Sequence, residues 1–405
     1  MRVLVLHQNK FERMGYDIAI DHDVHDVVYA GAKEYVAGIP AGLRCETVVW
    51  DPALPVAEQL IPWVKEHGPF GRVIARHEKT IMPAAVLRAE FGIPGMLPAE
   101  AINFRDKVAM KRTLAAAGIR VPRFRKAGEI APEAEWAGKT IVKPRDEGGS
   151  QGVELFATYQ DAYAFVEEQR AKDPDGSFAD RYEVEEFLEG PIWHVDGFLH
   201  EGRPAVVQAS QYVGVPLDFE HGQPIGSVQH PKPELEAWAV ECVRALGGRT
   251  LTFHLEAIMT DSGPAFMEVA ARCGGSYIVE TLERKYGINL HVLDMASDVD
   301  GRLATRFLRA EPAPEWFGIF LYPGRRYRGA PVEVSVPAER LRDRRLVAHT
   351  MRDPHTPTRT SHSYRPEDLP FSGLVTDTDP EALDEWLRGL FGEVTVTPRS
   401  EEMSS

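Results

Sequence analysis

Cysteine is scarce in this chain: 405 residues hold three, Cys45, Cys242 and Cys273, far apart and odd in number. That leaves no disulfide framework and no zinc-ligand spacing, so the thiols read as reduced and the protein as cytoplasmic. Nor does any apolar run approach the ~20 residues that cross a bilayer, which argues against a membrane partner. The first apolar run, residues 3–6, breaks at His7-Gln8-Asn9-Lys10 and is too short for a signal-peptide core, so it reads as a buried first strand. Long basic runs are missing as well, and the formal charge is -15. Nucleic acid is therefore not expected as a partner, because phosphate backbones need a basic surface. An acidic protein can still hold a nucleotide through a few local cations. Internal repeats are absent too.

What is present is a globular composition, 43% hydrophobic and 26% charged, in a length that suits two to four subdomains. Residues 1–100 alternate short apolar runs, at 3–6, 46–50 and 73–75, with a helix over 82–91 closed by Gly92 and Pro94, the pattern of a doubly wound α/β domain. A helix over 103–117 follows, with Asn103 as its N-cap and Gly118 and Pro122 as stop signals. Strands are expected at 140–142, 182–188, 193–199 and 205–210, with helices at 161–170 and 233–246, then a hairpin at 253–275. That order predicts an α+β body with a largely antiparallel sheet. Beyond residue 300, prolines and a basic cluster at 340–345 suggest an appended C-terminal subdomain, with a disordered tail at 400–405. The expected division is 1–100, 101–185, 186–300 and 301–405.

The hairpin carries the most chemistry. Glu256 and Glu268 sit on its two strands and Arg272 at its exit, a set that suits magnesium and phosphate, since hard Mg²⁺ takes one or two protein carboxylates plus phosphate oxygens. By charge pattern alone it equally describes a solvated face. Upstream, Lys107 opens a helix and Lys143 ends a strand at Val142-Lys143-Pro144, where a lysine can reach a phosphate or simply snorkel. The segment Gly148-Gly149-Ser150-Gln151-Gly152 lets backbone N–H groups approach phosphate, but it lacks the Lys-Ser/Thr ending of a P-loop, which excludes a Walker-type NTPase. Glu185-Glu186-Phe187-Leu188-Glu189-Gly190 can read an adenine edge or form an acidic edge strand. Residues 218–230 read as a long polar loop, either a cover over the site or a plain connection. His349, His355 and His362 fit no metal spacing and read as surface residues.

In this order the elements resemble the ATP-grasp superfamily: Lys107, Lys143 before proline, the glycine loop, Glu-Glu-Phe-Leu-x-Gly, then Glu256 and Glu268-x-x-x-Arg272. The signature Ala115-x-x-Gly118-x-x-x-Pro122 matches as well, and the resemblance covers roughly residues 70–290. It implies an N-terminal doubly wound domain, a two-lobed ATP-binding body with a lid at 101–185 and the magnesium site at 186–300, and a C-terminal subdomain. Lys107 and Lys143 become phosphate contacts, the loop with Gly148, Gly149, Ser150 and Gly152 a cover, and Glu185, Glu186 and Leu188 the adenine site. Glu256 and Glu268 become ligands of Mg²⁺ (with Mn²⁺ as substitute), while Arg272, Glu268 and Gly275 form the catalytic set. Two departures stand out. Ile192 replaces the usual ribose-binding carboxylate, and His194, in a Trp-His-Val-Asp run similar to the His-Val-Glu of biotin carboxylases, is expected to supply that contact. Ala270 replaces a common asparagine, and Glu-x-Ala-Ala-Arg with His254-Leu255-Glu256 resembles L-amino acid ligases of the bacilysin synthetase type. The resemblance thus implies a ligase that activates a carboxylate as an acyl-phosphate and joins it to an amine, with small-molecule substrates, His230 and His254 as substrate contacts, His230 also as a candidate base, and room for a homodimer. A biotin-carboxylase-like enzyme, a thioester ligase and a non-catalytic ATP-binding protein are the alternatives.

Overall fold

The computed structural model describes residues 1–173, 175–308, 311–361 and 363–399; the expected disordered tail and His362 lie outside these residues. A parallel sheet opens the chain, built from β1 (Arg2–His7), β2 (Asp26–Ala32), β3 (Glu46–Trp50) and β4 (Arg72–Ala75) in the order β3-β2-β1-β4. Residues 3–6 are apolar throughout because both faces of β1 are covered. Leu4 and Leu6 pack on Leu60 and Val64 of helix Val56–His67, while Val3 and Val5 pack on Leu293 and Ala296 of helix Leu290–Asp300, which belongs to the body. Arg76, at the end of β4, ties the same helix with bonds of 2.8 Å to Asp294 and 3.1 Å to Asp298. The first domain is thereby fixed against the site-bearing sheet.

A second sheet holds β5 (Phe124–Lys126), β6 (Thr140–Pro144), β7 (Glu154–Phe156) and β8 (Tyr182–Glu186), antiparallel in the order β5-β8-β6-β7. Its strands alternate: Val142 and Val184 enter a core with Trp136 and Tyr159, which turns Lys143, Glu183 and Glu185 to the other face. That face is covered by helix Lys107–Ala116, whose N-cap is Asp106, accepting from the N–H groups of Val108 and Ala109. The expected cap, Asn103, instead lies in a separate turn, with its amide on the Leu246 carbonyl at 3.2 Å.

The body is one eight-stranded sheet in which every pairing is antiparallel. Its strands are β9 (Ile192–His200), β10 (Arg203–Val213), β11 (Ile225–Gln229), β12 (Leu251–Thr260), β13 (Gly263–Ala270) and β14 (Trp316–Tyr322). After the short β15 (Val332–Ser335) come β16 (Leu346–Met351) and β17 (Phe371–Asp377), which also belong to this sheet, and then β18 (Thr395–Pro398), which pairs with β15. The order is β13-β12-β9-β10-β11-β14-β17-β16, so strands from beyond residue 300 continue the sheet that carries the hairpin. Residues 218–230 are not one long loop: Pro216–Glu220 is helical and the buried β11 pairs on both sides. His349 likewise stands on a strand, β16. No helix among the described residues is long and apolar enough to cross a membrane.

Candidate functional site

The hairpin β12–β13 sets Glu256 directly opposite Glu268. Alternation sends Phe253, Leu255 and Ala257 into the core beneath helix Pro233–Ala245 and leaves His254, Glu256 and Ile258 on the cavity side. A register shift follows at once, with Ala257 pairing Phe266, so the extra residue Met267 faces the cavity beside Glu268 while Phe266 stays in the core. Two like charges facing each other across strands repel, and cations or donors must offset them. Lys107 reaches Glu268 at 3.1 Å and also donates to the Glu147 carbonyl. Tyr212 donates to Glu256 at 2.7 Å, and His254 stands 3.6 Å from the same oxygen.

Beneath the floor runs a buried relay. Asp196 accepts from both His254, at 2.9 Å, and His194, at 2.6 Å, and the far nitrogen of His194 meets Ser227 at 2.6 Å. Gly274 makes room for it, since a Cβ there would sit 2.7 Å from the Asp196 carboxylate. Burial works against a charged His254, but Asp196 and then Glu256 override it and push the imidazole up to about 10. Burial opposes the Asp196 charge too, and His254 and His194 hold its carboxyl well below the usual range. His254 therefore contributes stability that is complete below its ordinary value of 6.5 and is lost as pH rises through about 10. In the metal-free protein, the His254 ring followed by NMR should stay protonated through pH 8, and Asp196→Asn should lower its titration, because Glu256 alone then opposes burial. A wild-type titration near 6.5 would contradict this.

The sheet β5–β8 and the helix that covers it contribute a second charged group. Lys111, Glu183, Glu185 and Lys143 are all buried, with Lys111–Glu183 at 2.7 Å, Lys143–Glu185 at 2.5 Å and a further Lys111–Glu185 bond. Burial opposes its charge, yet the two lysines draw the Glu185 carboxyl down to about 2, and the glutamates in turn raise Lys143. The third group joins the domains. Glu78, just past β4, accepts from the Arg272 guanidinium at 3.0 and 3.2 Å and also from Arg105. Against burial, Glu78 holds Arg272 above its ordinary pKa, and the two arginines hold Glu78 below its own.

Members of each of these groups line one cavity of about 470 Å³ between the sheet β5–β8 and the eight-stranded sheet. Lys107, Lys143, Gly149, Ser150, Glu185, Glu186, Leu188, His254, Glu256, Glu268, Arg272 and Gly275 all border it. Gly190 brings the segment after β8 against β12: its φ is +150°, and a Cβ would lie 2.1 Å from the Met259 carbonyl. Gly148 and Gly152 belong to the loop but not to the wall. His194 does not reach the cavity, because both its ring nitrogens are taken in the relay; Ile192 lines the wall in its place. His230 is elsewhere: it follows β11 next to Trp193, at 5.4 Å, in a separate pocket with Glu381 and Asp384, so it is neither a base nor a substrate contact for this cavity. Trp193 and His194 point to opposite faces of β9, which is why the two histidines part.

Glu78, Lys111, Asp196 and Tyr212 were not singled out from sequence. Lys111 had a signal, four residues after Lys107 on one helix face, as did Glu183, two before Glu185 on one strand face. Asp196 stands two after His194 in the same way, whereas nothing local marks Glu78 or Tyr212.

Two cavity-facing carboxylates with hard oxygen donors fit a divalent cation that keeps water and phosphate ligands. Among the described residues, one group of three His, Cys, Asp or Glu has ligand atoms close together, His194, Asp196 and His254, and its atoms already satisfy one another as hydrogen-bond partners. Glu256 and Glu268, whose side chains face the cavity, are the residues that could hold such a cation.

The chain is similar to known proteins. The family described as an ATP-grasp domain matches residues 104–276. The L-arginine-specific L-amino acid ligase of Bacillus subtilis is 29% identical over 256 residues, 58% of this chain and 60% of that protein. Dapdiamide A synthase of Enterobacter agglomerans is 27% identical over 194 residues, 44% of this chain and 45% of the synthase. The match thus spans from under half to three fifths of these relatives' own lengths. The crystal structure of an L-amino acid ligase from Bacillus licheniformis superposes with a TM-score of 0.72 at 18% identity, over 98% of this chain and 99% of that one, so the fold is shared along nearly its whole length.

Proposed function

We propose that this chain, whose residues 104–276 match an ATP-grasp domain, is an ATP-dependent carboxylate–amine ligase that activates an amino acid or similar acid as an acyl-phosphate and joins it to an amine. The observation that carries this reading is the facing pair Glu256 and Glu268 in one cavity with Lys107, Lys143 and Arg272. Residues 101–185 would serve as the lid and 186–300 as the metal-bearing lobe. Glu256 and Glu268 would hold Mg²⁺, which when bound offsets charge on the ATP phosphates.

The roles of the other residues follow from what each can supply. Lys107 and Lys143 are point charges for phosphate oxygens; Lys107 would exchange its bond to Glu268 for a phosphate once a cation takes that carboxylate. The strand edge at Glu186 and Leu188 offers backbone groups to adenine, and the loop with Gly149 and Ser150 covers the phosphates. An acid carboxylate oxygen attacks the terminal phosphorus and ADP departs; a neutral amine then attacks the acyl carbon and phosphate leaves. Arg272, held in place by Glu78, would stabilise charge on the transferring phosphoryl group and on the tetrahedral oxygen.

The test is release of ADP and phosphate across a matrix of amino acids and amines, with Glu268→Gln as the blank. A carboxylate–amine pair should stimulate release at least tenfold above that blank. Stimulation by a carboxylate with coenzyme A alone, and by no amine, would replace this reading with a thioester ligase.

A further inference from the structure

The cavity floor changes character from one end to the other. At β12 and β13 it carries Glu256 and Glu268; beyond the intervening β9 and β10, at β11 and β14, it carries Ile225, Ile319 and Leu321. Register pairs Ile225 with Leu321 and Ser227 with Ile319, so Ile225, Ile319 and Leu321 share one face of the sheet, and all three line the cavity. Leu217 from helix Pro216–Glu220 and Ile278 from helix Ile278–Tyr286 close this end, with Val215 at the rim. Tyr364 forms part of the wall and stacks on Phe219 at 4.9 Å, nearly parallel.

Charge is distributed the opposite way. Among the described residues lining the cavity, the carboxylates are Glu147, Glu185, Glu186, Glu189, Glu256 and Glu268, all within residues 147–189 or on the hairpin. None lies at the β11–β14 end. Glu220, on the same short helix as Leu217, is paired with Arg325 at 2.7 Å and does not line the cavity. A guanidinium or ammonium side chain placed there would lose water without gaining a counter-charge, whereas an aliphatic or aromatic side chain would gain burial.

The geometry points to an acid substrate with an apolar side chain, of the size of leucine, methionine or phenylalanine, whose carboxylate lies toward Arg272 and whose side chain fills the box formed by Leu217, Ile225, Ile278, Ile319 and Leu321. This rests on the ligase reading above and sets this chain apart from its arginine-specific relative, whose name implies a cationic substrate.

The test uses the full chain with ATP, Mg²⁺ and hydroxylamine as a generic amine, and reads hydroxamate formation from leucine, methionine, phenylalanine, arginine and lysine. The apolar acids should exceed arginine and lysine in kcat/KM by at least about tenfold. Leu217→Glu, a half-buried position on a short helix, should raise the arginine-to-leucine ratio by about tenfold or more, and Ile319→Ala should shift preference from leucine toward phenylalanine by enlarging the box. Equal or better use of arginine by the wild type, or a ratio unmoved by both variants, overturns the proposal while the ligase reading stands. Should no acid give hydroxamate, the ligase reading fails, and calorimetric binding of leucine against arginine, with a non-hydrolysable ATP analogue and Mg²⁺ present, decides the pocket's preference by itself. Tighter arginine would sink it there as well.

Discussion

Glu268→Gln is expected to lower kcat by about a thousandfold or more, roughly 4 kcal/mol of transition-state stabilisation, while leaving the fold intact. Glutamine keeps the shape and one oxygen but removes the charge that faces Glu256 across the hairpin and meets Lys107 at 3.1 Å. Losing that charge relieves a like-charge pair but takes an ion-pair partner from buried Lys107, so the two effects oppose and the net change in stability should be small. It also weakens any cation bridging the two carboxylates. The variant's residual rate should therefore climb with Mg²⁺ concentration beyond the point where the wild type saturates. Thermal melting and a magnesium titration of kcat separate the two effects. A loss under tenfold, or a rate indifferent to Mg²⁺, would remove Glu268 from the metal site.

Lys111→Met should cost about 3–5 kcal/mol in urea unfolding, the penalty for stranding buried charge. Lys111 and Glu183 are fully buried, and the four charges of the lid group balance, two lysines against two glutamates. Without Lys111, Glu183 and Glu185 share Lys143 alone. Glu183 is the weaker partner, because one of its oxygens has no hydrogen-bond donor. The double variant Lys111→Met with Glu183→Gln restores the balance and should recover at least about half of the loss. ATP affinity of the single variant should fall as well, since Lys143 would be drawn more tightly onto two glutamates. A single variant within about 1 kcal/mol of wild type would show that the group is hydrated rather than buried.

Much of this architecture was legible in local pattern. The apolar run at 3–6 gave β1, the alternation in residues 253–258 gave the hairpin with its carboxylates on one face, and the predicted antiparallel body is an eight-stranded sheet. The ATP-grasp fold inferred from motif order is the one shared with the solved L-amino acid ligase. What local pattern did not carry was partnership at long range. His194 and His230 were both read as facing the site, yet only tertiary pairing decides that one is sealed against Asp196 and Ser227 and the other turned to the opposite side of the sheet. Glu78 lies 194 positions from Arg272 and carries no motif of its own. The helix start moved from Asn103 to Asp106 because Asp106 caps two N–H groups while Asn103 is engaged by Leu246 and Thr113. Residues 225–229, polar enough to read as loop, are a central strand because Ser227 and Gln229 find buried partners in His194 and the backbone of Phe317.

In the proposed reaction the cavity floored by Glu256 and Glu268 activates a carboxylate by phosphorylation. Acid labelled with ¹⁸O in its carboxylate tests it most directly, with the released phosphate and nucleotide analysed by mass spectrometry after turnover with an amine. One ¹⁸O should appear in inorganic phosphate, with ADP as the nucleotide product. Unlabelled phosphate, or AMP with labelled nucleotide, would contradict the account.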